Sequence, residues 1–145
     1  MKIDHVGIVV GSMAKAIDQW QTYFGYRQAT EPVLNTRQKV VVVFLEKPGS
    51  LPVKLVEPTG PDSPVAAFAR RGGGLHHLCF LCDELEPELD RLKQAGARVL
   101  TEPQPGEAFA NEKIAFLFAG QGLNIELIDT LTRAGRIGSQ RPVED

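Results

Sequence analysis

The sequence predicts an α+β fold: two tandem βαβββ modules joined into one curved, eight-stranded mixed sheet. The first observation is an internal repeat. IDHVGI at 3–8 overlies LHHLCF at 75–80, an offset of 72 residues. At the same offset Asp18 falls on Asp90, Phe44-Leu45 on Phe116-Leu117, and VKLVEP at 53–58 on IELIDT at 125–130. Four separated anchors at one offset, without a gap, mark a duplicated unit. The second observation is the order of elements, which reads the same in both halves. The third is size: a sheet with a helix on one face needs cover on the other, and neither half is long enough to supply it alone. Joining the halves edge to edge leaves the helices outside and a concave face inside, where a ligand would sit. The reading is one domain over residues 1–130, with module 1 at 1–60, a linker helix within 61–72 and module 2 at 73–130; residues 131–145 form a C-terminal tail.

In module 1, residues 3–10 are a short apolar strand. Ser12 caps a helix in which Met13, Ile17, Trp20 and Phe24 recur on one face, and Gly25 ends it. Tyr26–Thr30 is read as a short strand. Gln38–Lys47 carries the β-branched run VVVVFL, too short for a typical helix and followed by Pro48-Gly49. Val53–Glu57 is a further strand, stopped by Pro58. In the connector, Ser63 caps a short helix with Pro64 at its first position. The following RRGGG precedes a strand rather than opening a helix, so it fits no phosphate-binding loop and is read as a hinge, with Arg70 and Arg71 a solvated charge pair. Module 2 repeats the pattern. Leu75–Cys82 is a strand, and Asp83 caps a helix bearing Leu85, Leu89 and Leu92 that ends at Gly96. Strands follow at Arg98–Leu100, Ile114–Phe118 and Leu123–Asp129. Residues 131–145 lack periodicity and are read as a polar, partly frayed tail.

Composition excludes several function classes. The chain has 145 residues, 43% hydrophobic and 23% charged, with a net charge of −2. That balance argues against a nucleic-acid or anionic-membrane surface, which needs a concentrated basic field. No apolar run reaches membrane-spanning length and the N-terminus does not read as a signal peptide, so a cytoplasmic location is expected. Cys79 and Cys82 have redox-pair spacing but fall on a strand rather than at a helix start, so both are read as apolar packing.

Strand alternation sorts the polar residues. Ile3, His5, Gly7 and Val9 share one face, as do Leu75, His77, Cys79 and Leu81, with His76 pointing the other way. The repeat matches His5 to His77 and Lys54 to Glu126. Four polar side chains thus lie at equivalent places in apolar strands, and a pseudo-twofold would bring them together. Two imidazoles and a carboxylate suit one divalent metal ion (Zn, Co, Ni, Mn or Fe), and the His-His-Glu set also matches non-haem iron sites.

IDHVGIVV, the link from LVEPTGPDSPVAAF to GGGLHHLCF, and then IAFLF and LNIELID resemble the vicinal oxygen chelate superfamily of glyoxalase, bleomycin-resistance and extradiol dioxygenase proteins. The likeness spans residues 3–130 and is nearest the methylmalonyl-CoA epimerase branch, where EP-x-x-x-DSP-x-x-x-F precedes G-x-HH. It implies a glyoxalase-like cup, a homodimer, and a divalent metal with ligand positions at His5, residue 54, His77 and Glu126. It further implies an isomerase or lyase that acts through a metal-stabilised enolate on a small carbonyl or acyl-CoA substrate, with Glu126 as base. Sheet edges left free at the module junction would also favour a dimer.

Position 54 departs from the pattern, where Gln or Glu is usual, because an ammonium has no lone pair. Lys54 either swings away from the metal, acts as a neutral base or ligand, or pairs with Glu126 in a metal-free site. The last possibility makes the chain a small-molecule binding protein of bleomycin-resistance type; an Fe(II) dioxygenase is a further alternative. No second carboxylate lies within VVVVFL, and Glu46 at the strand end is the nearest acid. PGEAFANEKIAF also departs from the epimerase pattern, which points to a different substrate shape.

Overall fold

The computed structural model describes residues 1–138. Module 1 contains β1 (Lys2–Val9), α1 (Met13–Phe24), β2 (Arg27–Gln28), β3 (Val33–Asn35), β4 (Val40–Glu46) and β5 (Val53–Pro58). A short helix α2 (Ala66–Arg70) leads to β6 (Gly74–Leu81), α3 (Leu85–Gln94), β7 (Arg98–Gly106), a 3-10 turn (Glu107–Phe109), β8 (Glu112–Phe118) and β9 (Asn124–Ile128). The sheet order is β2-β4-β5-β1-β6-β9-β8-β7, with β3 also paired to β4. The β1–β5 and β6–β9 pairs are parallel, and β1–β6 is antiparallel across the module junction.

The repeat is kept in the packing. Met13 of α1 packs in one cluster with Val43, Leu45 and Leu55 of the sheet, and Leu85 of α3 in another with Ala115, Leu117 and Leu127, each at an offset of 72. A third apolar cluster fills the cup between the modules, with Val42, Phe44 and Val56 opposite Ile114, Phe116 and Ile128. The starts of α1 and α3 are held from afar. Glu57 at the end of β5 accepts from the Met13 amide at 2.7 Å, and Asp129, just after β9, accepts from the Leu85 amide at 2.9 Å. A carboxylate there satisfies an orphan amide and meets the positive end of the helix dipole.

Several expectations change. Among the described residues the sheet has nine strands, not eight, because the outer strand of module 1 is split into β2 and β3 around Pro32, where module 2 runs one continuous β7. The Tyr26–Thr30 strand shrinks to Arg27–Gln28. Ser12 caps α1, accepting from the Lys15 amide. Asp83 does not cap α3, since Glu84 takes the cap position and Asp129 supplies the carboxylate. Ser63 and Pro64 precede α2, whose cap position is Val65; the Ser63 carbonyl instead accepts from the Ala66 amide in the preceding turn. The junction edges are not free, because β1 and β6 pair with each other.

Residues 131–138 are no frayed tail. Arg136 bridges Thr30, the Ile137 amide donates to Ala29, and the Glu31 amide donates to Gly135, so the segment lies in the gap between β2 and β3. The rest of the expected tail, 139–145, lies outside the described residues. No helix among the described residues is long and apolar enough to cross a membrane.

Candidate active site

His5, Lys54, His77 and Glu126 do converge at the junction, all fully or nearly fully buried. His5 Nε2 lies 3.0 Å from Glu126 Oε1. Lys54 Nζ donates to both carboxylate oxygens, at 3.2 and 3.3 Å. His77 Nε2 lies 3.2 Å from Oε1 but is poorly aligned with it, so this buried nitrogen lacks a good partner among the described residues. Each histidine packs edge-on against the matched phenylalanine of its own module, His5 on Phe44 and His77 on Phe116. Gly7 is required by this arrangement: a Cβ there would stand 2.1 Å from the His77 ring, which lies across β1.

Two β-bulges complete the site, at positions related by the repeat. The β1–β6 register shifts between Ile3 and His5 and between Gly7 and Ile8, leaving Asp4 and His76 as the extra residues. A bulge re-aims its side chain. Asp4 therefore reaches its neighbour, with Oδ2 2.7 Å from His5 Nδ1, and His76 Nδ1 lies 2.8 Å from His77 Nδ1. Strict alternation had turned His76 outward; the bulge turns it into the cavity. Sequence reading also missed Arg133, whose Nη2 donates to Asp4 Oδ2 at 2.7 Å while its guanidinium sits 4.1 Å from the Phe44 ring. Glu46 is paired with Arg136 and takes no place in the cavity.

Phe44, Phe109 and Arg133 close one side of the cluster, with Phe109 coming from the segment that departs from the epimerase pattern. On the other side a cavity of ≈ 200 Å³ opens, with Lys54, His76 and His77 in its wall and Val40, Val42, Val56, Val65, Leu100 and Phe116 around them. His5 and Glu126 stand behind that wall.

Burial and neighbouring charges shift several of these groups. Burial would raise the Glu126 carboxyl, but the Lys54 ammonium and the His5 and His77 contacts outweigh it and hold it well below the usual carboxylate range. Burial pushes His77 down to about 3 against the pull of Glu126. His76 is lowered by burial and by the Lys54 charge. Burial would likewise raise Asp4, but the His5 hydrogen bond and the Arg133 charge outweigh it and lower it. Burial raises the Cys79 thiol, consistent with an inert packed cysteine.

The fit to a divalent ion can be judged from the donors. The His5, His77 and Glu126 ligand atoms lie within 4.8 Å of one another, and alone they would suit one. The fourth corner does not. A divalent ion about 4 Å from the ammonium would meet a repulsion of about 8 kcal/mol at an effective dielectric near 20. Lys54, the second residue of β5, is 2% exposed and is held by both oxygens of Glu126. With Lys54 in place, the set does not fit a divalent metal.

Comparisons with known proteins agree with this architecture. A family model described as Glyoxalase/Bleomycin resistance protein/Dioxygenase superfamily matches residues 4–116. The chain is 31% identical over 118 residues to the ethylmalonyl-CoA/methylmalonyl-CoA epimerase of Cereibacter sphaeroides, covering 80% of this chain and 87% of that protein. The crystal structure of methylmalonyl-CoA epimerase from Mycobacterium tuberculosis superposes with a TM-score of 0.78 at 29% identity, over 88% of this chain and 86% of that one. A Streptomyces coelicolor methylmalonyl-CoA epimerase variant in complex with 2-nitronate-propionyl-CoA gives 0.79 at 26% identity, over 91% and 99%. With its paired modules, its cup and the residues that meet in it, the chain belongs to the glyoxalase/bleomycin resistance/dioxygenase superfamily.

Proposed function

We propose that this chain is an isomerase- or lyase-type enzyme that acts through an enolate on a small acyl-CoA or related carbonyl substrate. The observation that carries the reading is the cavity wall: Lys54 and His77 face the open side, with the Glu126 carboxylate directly behind both. Its small volume and apolar lining suit a short acyl group, with any carrier such as CoA remaining outside. A relative of similar fold binds a nitronate acyl-CoA, and a nitronate is a planar anion shaped like an enolate.

The proton on the carbon beside the carbonyl passes to the neutral imidazole of His77. The C–H electron pair becomes the enolate double bond, and the negative charge moves to the oxygen. Glu126, which does not line the cavity, steadies the imidazolium from 3.2 Å. Return of the proton to the carbon skeleton restores neutral His77. The enolate oxygen needs a positive partner, and Lys54 is the cation in the wall. Val40 and Val42 occupy the β4 wall, so no carboxylate faces His77 there, and epimerisation by two opposed bases is not supported.

The test is proton exchange in deuterated buffer with methylmalonyl-CoA, ethylmalonyl-CoA and short 2-substituted acyl-CoAs, followed by mass spectrometry. Deuterium should enter at the carbon beside the thioester, and His77→Gln should slow this by about 100-fold or more. If none of these substrates exchanges, the enolate reading fails and the metal-free binding protein takes its place.

A further inference from the structure

Among the described residues, two carboxylates and two basic side chains are buried around the site. Asp4 and Glu126 are the anions, Lys54 and Arg133 the cations, linked in one chain: Arg133 to Asp4, Asp4 to His5, His5 to Glu126, Glu126 to Lys54. A divalent ion would leave this desolvated cluster with two uncompensated positive charges. The Lys54 ammonium spans both oxygens of Glu126 and has the Phe109 ring 5.3 Å away. It occupies the register position in module 1 that Glu126 occupies in module 2, at an offset of 72. An ammonium has three N–H groups, and among the described residues only the two Glu126 oxygens accept from it. One N–H is left beside the cavity that Lys54 lines.

We propose that Lys54 is a tethered cation that replaces the divalent metal in this site, so that the chain holds its substrate's carbonyl oxygen with an ammonium and needs no metal ion. The inference rests on the enolate reading for its chemistry, but its claim about the metal stands apart and is tested apart. Lys54 is the covalent counterpart of an added ion: it supplies one positive charge at the corner where the superfamily resemblance implies a ligand, and Glu126 anchors it. As the substrate loses its proton, the charge gathering on oxygen meets an N–H already in place, with no ion to be recruited.

The decisive measurement is metal stoichiometry. Purified protein is equilibrated with Co²⁺, Ni²⁺, Zn²⁺ or Fe²⁺, gel-filtered, and analysed by plasma mass spectrometry. Native chain should retain under about 0.1 ion, whereas Lys54→Gln should retain about one Co²⁺, with the visible bands of protein-bound cobalt. Those bands should vanish in Lys54→Gln/His77→Ala. Retention of one ion per native chain overturns the proposal, as does a Lys54→Gln protein that melts cooperatively yet binds none. The native measurement needs no variant, so misfolding of Lys54→Gln would not shelter the idea. In exchange assays, native activity should change less than about two-fold with EDTA, while Lys54→Gln should lose about 100-fold and recover part of it with Co²⁺. If no substrate exchanges, the enolate reading fails, and stoichiometry still judges Lys54.

Discussion

Removing the Arg133 charge tests whether the C-terminal strap holds the site together. Arg133 Nη2 lies 2.7 Å from Asp4 Oδ2, with side chains only 5% and 8% exposed. At that distance and an effective dielectric near 20, the gross attraction is about 6 kcal/mol. Each ion's desolvation falls in the single-variant terms and cancels in a double-variant cycle, where a contacting pair of this kind should couple by about 1.5–3 kcal/mol. Arg133→Met keeps much of the aliphatic contact with Phe44 while removing the charge. Asp4 is not orphaned by that change, because His5 Nδ1 remains 2.7 Å away. The variant should therefore lose about 2–3 kcal/mol, less than the 3–5 typical of a wholly unpaired buried ion. Urea unfolding at pH 7 of the wild type, Arg133→Met, Asp4→Asn and the double variant gives the coupling from midpoint shifts at constant slope. Simple additivity, with a coupling below about 0.5 kcal/mol, would refute the argument.

Three further outcomes are expected. Gly7→Ala forces a Cβ into the His77 ring, so the protein should lose about 1–3 kcal/mol; a loss under about 0.5 with unshifted His77 ring resonances counts against the cradle. Glu57→Gln and Asp129→Asn remove matched carboxylates at the two helix starts, and each should cost about 1 kcal/mol by thermal melts; a neutral effect at either would deny the symmetry. Stability should also fall as pH drops from about 6.5 toward 4.5. His77 stays neutral in the fold down to about 3, so in that window the unfolded chain binds more protons, and the loss reaches about 1.4 kcal/mol per pH unit for one such group. His76→Asn/His77→Asn should flatten the slope in urea titrations across that range, and an unchanged slope would assign it to other groups.

Some of the site was legible early because it obeys the rules that a sequence displays. His5, His77, Lys54 and Glu126 occupy repeated places in period-two strands, and an internal duplication turns such places into a spatial prediction. Asp4 and His76 escaped because alternation assumes an unbroken register, and a bulge is a property of two strands in contact. Gly7 offered a weak signal, a glycine in an apolar strand, which often marks the close approach of another group. Arg133 offered none, since a lone arginine in an aperiodic segment reads as solvated. The ninth strand had a partial signal in Pro32, which interrupts a ladder by lacking an amide hydrogen.

The sequence by itself determined the element order, the two-module cup and the four residues that meet in it, because side-chain period and the constant offset of 72 are written along the chain. Only the tertiary structure decided how those residues are used. Whether Lys54 turns from Glu126 or grips it, whether His76 joins the cavity, and whether the C-terminal segment frays or docks all depend on strand register and burial between segments as far apart as Asp4 and Arg133. Burial is the physical reason. Out of water an ammonium, two carboxylates and a guanidinium must find one another, and the partners they find decide whether this cup has room for a metal ion.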